Sequence, residues 1–297
     1  MSPYIQSLRL RTLPLSVAGI VLGTGLAFRL SPSAFSGRQW VIFALAVLTA
    51  LCLQILSNLS NELGDALKGT DSDQHGREAY GLQTGTITVV QMKRMIALFI
   101  GLSVLFGTAL IGTSFLVPAP SSDLTSSVLH SLVFLLLGAL AIIGAMTYTL
   151  GRHSYGYMGL GDLGVFLFFG LLSTIGACYL VVQTVSWDVI ACGTAIGLPC
   201  VGVLNLNNIR DITNDRAHGK RTLASRMGVK GGKIYHTGLL TVCMVLFIAF
   251  GHYWSLCVLP VWAWHLWFVW THEGSQLDRQ MPVLMLSTGL LACLGWA

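Results

Sequence analysis

Long apolar runs separated by short polar breaks occupy almost the whole chain. They cover residues 13–28, 40–57, 95–117, 128–150, 160–182, 189–204, 237–254, 255–271 and 281–297. Each reaches or approaches the length an α-helix needs to cross a hydrocarbon core of about 30 Å. Inside such a core the backbone can be satisfied only by helices or a closed barrel. The pattern therefore predicts an all-α, polytopic membrane helix bundle of about nine transmembrane helices, forming one integral domain over residues 1–297. The first and sixth runs are short, and the seventh and eighth nearly fuse at 251–254. Segments 31–38 and 118–127 carry the Pro, Ser and Gly punctuation of turns and read as plain connections.

Composition fixes the solvent. With 54% hydrophobic and 10% charged residues and a mean hydropathy of +0.72, the chain belongs in a lipid bilayer. Lys and Arg fall almost entirely in the breaks on one side of the nine spans, leaving only Arg29 and Arg38 on the other. By the positive-inside rule the N-terminus and both long polar breaks face the cytoplasm, as cap loops over a bundle in a bacterial inner membrane. The net charge of +5 is then a topology signal, with no basic soluble face of the kind nucleic acid requires. The seven cysteines stand singly in apolar runs, without metal or redox spacing, and read as packing residues. A basic flank and an apolar run without a small-residue cleavage site make the first span an uncleaved helix.

Two polar islands carry the candidate chemistry, 58–77 (NLSNELGDALKGTDSDQHGR) and 205–226 (NLNNIRDITNDRAHGKRTLASR). With Glu78 beside the first, they hold seven of the twelve acidic residues: Glu62, Asp65, Asp71, Asp73, Asp211 and Asp215 are the others. Carboxylates against membrane spans are costly unless they pair, protonate or bind a cation. Asn207, Asp211 and Asp215 are spaced four apart, as are Asn61 and Asp65, so on a helix each set shares a face. Oxygen ligands of this kind suit Mg²⁺, which completes its shell with water and phosphate oxygens. Lys68 and Arg77 in the first island, and Arg210, Lys220 and Arg221 in the second, are placed to hold the remaining negative charge of a diphosphate. The islands lie almost half the chain apart, which suggests a duplicated helical unit with its site at the repeat interface. The bland reading is a set of solvated loop charges and helix caps.

Four stretches resemble the UbiA superfamily of intramembrane aromatic prenyltransferases: RLRTLPLSVAGIVLG, QILSNLSNELGDALKGTD, YGYMGLGD followed by VFLFFG, and LNLNNIRDITNDRAHGKRTLASRMG. They span residues 9–232, and the nearest branch is the 1,4-dihydroxy-2-naphthoate polyprenyltransferases of menaquinone synthesis. The resemblance implies nine helices around a central cavity, Mg²⁺ bridging a polyprenyl diphosphate to two Asp-rich motifs, and prenyl transfer to an aromatic acid. The first motif falls on Asn61, Asp65 and Asp71, with a six-residue last step and Glu62-Leu63 where Asp-Tyr is common. Asp73 competes with Asp71 for that role. The second falls on Asn207 or Asn208, Asp211 and Asp215, followed by Lys220. Asp65, Asp211 and Asp215 are the implied catalytic carboxylates.

An allylic diphosphate ionises when its leaving group is neutralised, and the cation left behind needs a dry pocket with aromatic faces. An electron-rich dihydroxy ring then attacks it, and in the naphthoate case carbon dioxide leaves. For the acceptor the candidates are Arg152, placed for a carboxylate, with Tyr155, Tyr157 and Asp162. Arg152 also reads as an ordinary positive-inside residue, and Asp162 as a helix cap. Arg11 either reaches the diphosphate or marks the membrane surface, and Asp71, Asp73 and His75 form a D-x-D-x-H alternative. Rival readings are another aromatic acceptor such as 4-hydroxybenzoate or homogentisate, a CDP-alcohol transferase, and a secondary transporter. The D-G-x-x-A-R run of the CDP-alcohol class is absent. A transporter would need charges at the midplane of the spans, whereas here they cluster at one face.

Overall fold

The computed structural model describes residues 3–69, 81–116 and 124–296. The expectations attached to Asp71, Asp73, His75, Arg77 and Glu78 lie outside the described residues. Among the described residues the regular structure is entirely helical. Seven helices are long and apolar enough to span a bilayer. They are α1 (Leu13–Leu30), α2 (Gly37–Lys68), α3 (Val89–Leu116), α4 (Leu124–Thr147), α5 (Gly161–Val182), α6 (Trp187–Arg210) and α7 (Leu223–Ala249). Two shorter helices follow, α8 (Leu259–Thr271) and α9 (Gln280–Leu294). Each of the nine apolar runs thus carries a helix, but seven have spanning length. At 1.5 Å per residue α8 and α9 reach only about 20 Å.

The helix starts are written locally. Ser36 with Gln39 and Thr88 with Gln91 form reciprocal capping boxes on α2 and α3. Ser186 and Thr222 cap α6 and α7 by accepting the backbone N–H of Val189 and Ser225. Capping by Thr222 starts α7 well before the apolar run that opens at residue 237, so the basic stretch through Lys233 is helix rather than loop. Gly228 interrupts that first part with φ 76°, ψ 176°, a conformation that residues carrying a Cβ do not readily adopt. Likewise, the first polar island remains helical as far as Lys68, and α2 stops at Gly69 with φ 71°.

Small residues bring the inner helices together, as is usual where lipid supplies no hydrophobic drive between helices. A Cβ on Gly23 of α1 would lie 2.2 Å from the Thr174 carbonyl oxygen of α5. One on Gly170 of α5 would lie 2.7 Å from Cα of Gly197 in α6. These seams put α1 and α6 at the centre: 78% of the spanning window of α6 is buried, against 11% for α4, which faces lipid. Leu22, Leu26, Ile196, Leu206, Leu240, Phe247 and Leu284 fill the space between them. The start of α1, the ends of α2 and α6 and the start of α7 meet at one end of the bundle. Asn58 of α2 donates to the Leu8 carbonyl and to Thr12 Oγ1 there, and Asn205 of α6 to the Gly232 carbonyl of α7.

The seam at Gly23 has no slack, because the atom a methyl would strike is backbone. Gly23→Ala is expected to cost about 2 kcal/mol, the usual range for overpacking. Its thermal midpoint in detergent should fall by several degrees. Gly37→Ala, whose Cβ meets open space, should leave the midpoint unchanged or slightly raised.

Candidate active site

The first island presents its polar side chains from the last turns of α2. Asn61 accepts from Thr149 Oγ1 at 3.1 Å, and the same hydroxyl lies 3.0 Å from the Ser60 carbonyl. Close approach of the chain at Thr149 depends on Gly64, where a Cβ would sit 2.6 Å from Thr149 Oγ1. One turn further, Asp65 Oδ1 accepts the Tyr157 hydroxyl at 2.9 Å. Lys68 donates to the Thr149 carbonyl at 2.7 Å and to Ser154 Oγ, and its ammonium stands 3.7 Å above the Tyr157 ring. Glu62, one helical step away, is fully buried and accepts the Leu82 N–H at 2.9 Å, which ties α2 to the segment ahead of α3.

The second island is held against the first by the connection between α4 and α5. The Tyr157 carbonyl accepts the Arg221 N–H at 3.0 Å, and the Lys220 ammonium lies 5.6 Å from the centre of the Tyr157 ring. Lys220 also pairs with Asp215 at 3.7 Å, and Thr222 Oγ1 is 3.4 Å from the same carboxylate. Burial pushes the Asp215 carboxyl above the ordinary carboxylate range, Lys220 and Thr222 pull it back, and the charge on Asp65 adds to the rise. Asp65 and Asp215 are therefore electrostatic neighbours although α2 and α6 belong to opposite halves of the chain.

Asp211 takes a different partner. The helix breaks there, at φ −99°, ψ 8°, before resuming as the short helix Ile212–Ala217. The backbone keeps its four-residue step, with Asp211 N–H to Asn207 O at 3.0 Å and Asp215 N–H to Asp211 O at 2.8 Å. The side chains nevertheless diverge. Asp211 is gripped by Nε and Nη2 of Arg210 at 2.8 and 2.9 Å, while Arg210 also pairs with Asp278 in the turn ahead of α9.

A cavity of about 370 Å³ opens beside this cluster. Arg9, Asn58, Asn61 and Asn207 line its polar end, and Leu110, Phe134, Phe168 and Leu180 its apolar shaft. Tyr148 and Tyr155 stand between, ring to ring at 5.2 Å and nearly perpendicular. Tyr155 donates to the Gly144 carbonyl, and burial pushes its phenol up to about 12, so it stays protonated.

Of the residues chosen from sequence, Asp65, Lys68, Asp215, Lys220 and Tyr157 form one cluster, and Asn61, Tyr155 and Asn207 line the cavity beside it. Asp211 and Arg210 sit beside it as an ion pair. Arg221 contributes its backbone, with an exposed side chain. Arg152 and Arg11 are exposed, and neither lines the cavity. Asp162 is buried at the start of α5 beside Tyr235. Asp71 and Arg77 lie outside the described residues. Two contributors escaped the sequence reading. Tyr148 has an aromatic identity as its only sequence signal. Arg9 had counted only towards topology, and it reaches the cavity from a left-handed backbone position, φ 51°.

The donor set suits Mg²⁺. It consists of carboxylate and carboxamide oxygens beside a cavity, with one carboxylate, Asp215, only 2% exposed and matched among the described residues by a single cation at a long 3.7 Å. A divalent ion would relieve the cost of that buried charge.

Comparison with known proteins agrees with this architecture. A model of the UbiA prenyltransferase family matches residues 13–290. The chain is 40% identical over 269 residues to the 1,4-dihydroxy-2-naphthoate octaprenyltransferase of Escherichia coli, covering 88% of this chain and 79% of that one. Identity to the protein of the same description from Haemophilus influenzae is 36% over 302 aligned positions, covering 98% and 94%. Among solved structures, a UbiA homolog from Aeropyrum pernix K1 aligns with a TM-score of 0.65 at 16% identity, over 98% of this chain and 96% of that one. A UbiA homolog from Archaeoglobus fulgidus bound to DMAPP and Mg²⁺ aligns at 0.59 and 17%, over 98% and 86%. At those identities the likeness concerns the fold, and the sequence matches carry the family assignment. The chain belongs to the UbiA prenyltransferase family and is a membrane-embedded polyprenyltransferase.

Proposed function

We propose that the protein transfers a polyprenyl group, with Mg²⁺, from polyprenyl diphosphate to 1,4-dihydroxy-2-naphthoate with loss of carbon dioxide, giving the demethylmenaquinone skeleton. The observation that carries this reading is the meeting of Asp65, Lys68, Asp215 and Lys220 around Tyr157, one helical turn from Asn61 in the lining of a largely apolar cavity. The names of the bacterial relatives supply the acceptor. The charge distribution along the chain favours a site facing the cytoplasm of a bacterial inner membrane.

In this reading Asn61, Asp65, Asn207, Asp211 and Asp215 hold the metal, together with Asp71 outside the described residues. Bound there, Mg²⁺ supplies Lewis-acid neutralisation of the diphosphate. Lys68, Lys220, Arg210 and Arg9 add positive charge around the phosphates, with Arg77 and Arg221 assigned the same part from sequence. The prenyl chain lies in the apolar shaft. The allylic C–O bond breaks with its electrons leaving on diphosphate, and the carbocation forms beside Tyr148 and Tyr155, whose aromatic rings line the cavity and favour positive charge. Neither phenol is ionised, since burial raises both. The electron-rich ring of the acceptor forms the C–C bond. Electrons of the bond to its carboxyl carbon then restore the aromatic system as carbon dioxide departs, so no proton need be removed from that carbon. Arg152 and Asp162 were assigned to the acceptor from sequence. Tyr155 and Tyr157 share that candidacy, and the place of Tyr155 in the cavity lining supports it over the exposed Arg152.

Asp65→Asn and Asp215→Asn should each lower prenyl transfer at least about 100-fold, as removal of a group that stabilises developing charge does. Elution in detergent and helical content should be unchanged. Tyr157→Phe, which frees Asp65 from its hydroxyl partner, should lose on the order of tenfold in kcat/KM for the diphosphate. Full activity in either Asp variant would remove the basis of the assignment.

Purified protein given labelled polyprenyl diphosphate, Mg²⁺ and a panel of aromatic acids should prenylate 1,4-dihydroxy-2-naphthoate in preference to 4-hydroxybenzoate and homogentisate. Product mass should show the carboxyl group lost. Prenylation with the carboxyl retained, or release of no diphosphate, would count against the naphthoate reading and the enzyme reading respectively.

A further inference from the structure

At the opposite end of the bundle from the Asp-rich helix ends, three side chains with different donor atoms converge. Asp188 and Cys192 stand one turn apart on the first turns of α6, and His252 lies in the turn that follows α7. His252 Nε2 is 2.7 Å from Asp188 Oδ1 and 3.2 Å from Cys192 Sγ, and that sulfur is 3.9 Å from the same carboxylate oxygen. Cys192 and His252 are buried, each about 1% exposed, whereas Asp188 opens to solvent with a third of its side chain accessible. At 1.5 Å per residue α6 runs about 30 Å from Asp188 to Asn207, so the cluster shares nothing with the site at the other end.

The geometry points to a divalent transition-metal site of the Zn²⁺ class built from Asp188 Oδ1, Cys192 Sγ and His252 Nε2. The hydrogen-bond pattern without an ion shows where the ion goes. Arg29 Nη1, from the end of α1, lies 3.2 Å from His252 Nδ1, and a guanidinium can only donate. Nδ1 is therefore the acceptor, and the imidazole proton sits on Nε2, directed at Asp188. The thiol proton of Cys192 has the same carboxylate as its acceptor. Two protons thus occupy the space between three donor atoms that lie within 4.8 Å of one another, the space a cation with bonds of about 2.0–2.3 Å would fill.

On binding, the thiol proton leaves to solvent and the imidazole proton moves from Nε2 to Nδ1. Arg29, exposed at its helix end, turns away into water. The product carries a divalent cation, one thiolate and one carboxylate, which sum to zero, so charge is balanced in a largely buried place. Three protein ligands leave a fourth tetrahedral position on the open side at Asp188. A thiolate and an imidazole select zinc-like ions over Mg²⁺, so the two ends of the molecule discriminate between metals by ligand chemistry. Filled, the site ties the start of α6 to the turn between α7 and α8.

The test is a titration of the purified full-length protein in detergent with Co²⁺ alone, which reports thiolate ligation by a near-ultraviolet charge-transfer band. A band that saturates at one ion per chain, is displaced by Zn²⁺ and survives excess Mg²⁺ is expected. Cys192→Ser should lose the band, and His252→Ala should lose saturable binding. Asp188→Asn, at the solvent-exposed ligand where folding is least at stake, should weaken binding strongly. Arg29→Gln should bind at least as tightly as the unaltered protein, because a competing positive charge is gone. Prenyl transfer with Mg²⁺ should persist in all four variants, which establishes that each is folded. A band that persists in Cys192→Ser, or binding that never saturates at one ion per chain, would overturn the site.

Discussion

Charge placed at the mouth of a lipid-embedded cavity has to be balanced by its neighbours, because little water is available to do so. The hydrogen bond from Tyr157 to Asp65 is where that balance is organised. The phenol fixes one carboxylate and lends its ring to two ammonium groups, Lys68 at 3.7 Å and Lys220 at 5.6 Å. Through Lys220 it reaches the second carboxylate, Asp215. Its backbone carbonyl holds Arg221, so the same residue also anchors the strip that carries Lys220. One side chain from the connection between α4 and α5 therefore joins the two polar islands.

Rigidity behind that mouth comes from the opposite chemistry. Gly19 and Gly23 of α1 press against Ser173 and Thr174 of α5, and Gly170 of α5 against Gly193 and Gly197 of α6. These approaches leave almost no freedom for α1, α5 and α6 to slide. The cavity wall itself includes a stretch of α5, Phe166–Leu172, wound as a π-helix. Such turns are rare and recur at functional sites, since the wider winding redirects side chains. Here it carries Phe168 and Phe169 into the cavity lining, where straight α-helical winding would turn them differently.

What could be read from the sequence follows from what periodicity contains. Uninterrupted apolar runs state that a helix crosses lipid, and each such run carries a helix. They say little about where polar helix begins, so the early start of α7 at Leu223 depended on a cap at Thr222. The spacing of Asn61 with Asp65, and of Asn207 with Asp211 and Asp215, located the acidic groups because all lie on or next to helices that keep the four-residue step. It could not tell that Asp211 would turn to Arg210 while Asp215 turns to Lys220, which depends on a local break at one residue. Tyr157 and Arg152 were equally eligible in a loop of few residues. Only the fold distinguishes them, one turned inward against Asp65 and the other outward to solvent.

The division of the cavity into a polar end and an apolar shaft orients the proposed substrate without any specific recognition of chain length. Each isoprenoid CH₂ moved out of water gains about 0.8 kcal/mol, whereas a diphosphate drawn into the shaft would face a desolvation penalty of many kcal/mol. The reverse orientation is therefore excluded by solvation alone. It follows that the first carbon of the prenyl group stops where the lining changes character, and that place is occupied by Tyr148 and Tyr155, set nearly perpendicular at 5.2 Å. In the proposed reaction, bond breaking has the leaving group among cations and the new carbocation beside aromatic rings, at a boundary the side chains have already built. Asn61 and Asn207 line the polar end from the two motif helices, so the same division that separates charge from hydrocarbon draws on both halves of the chain.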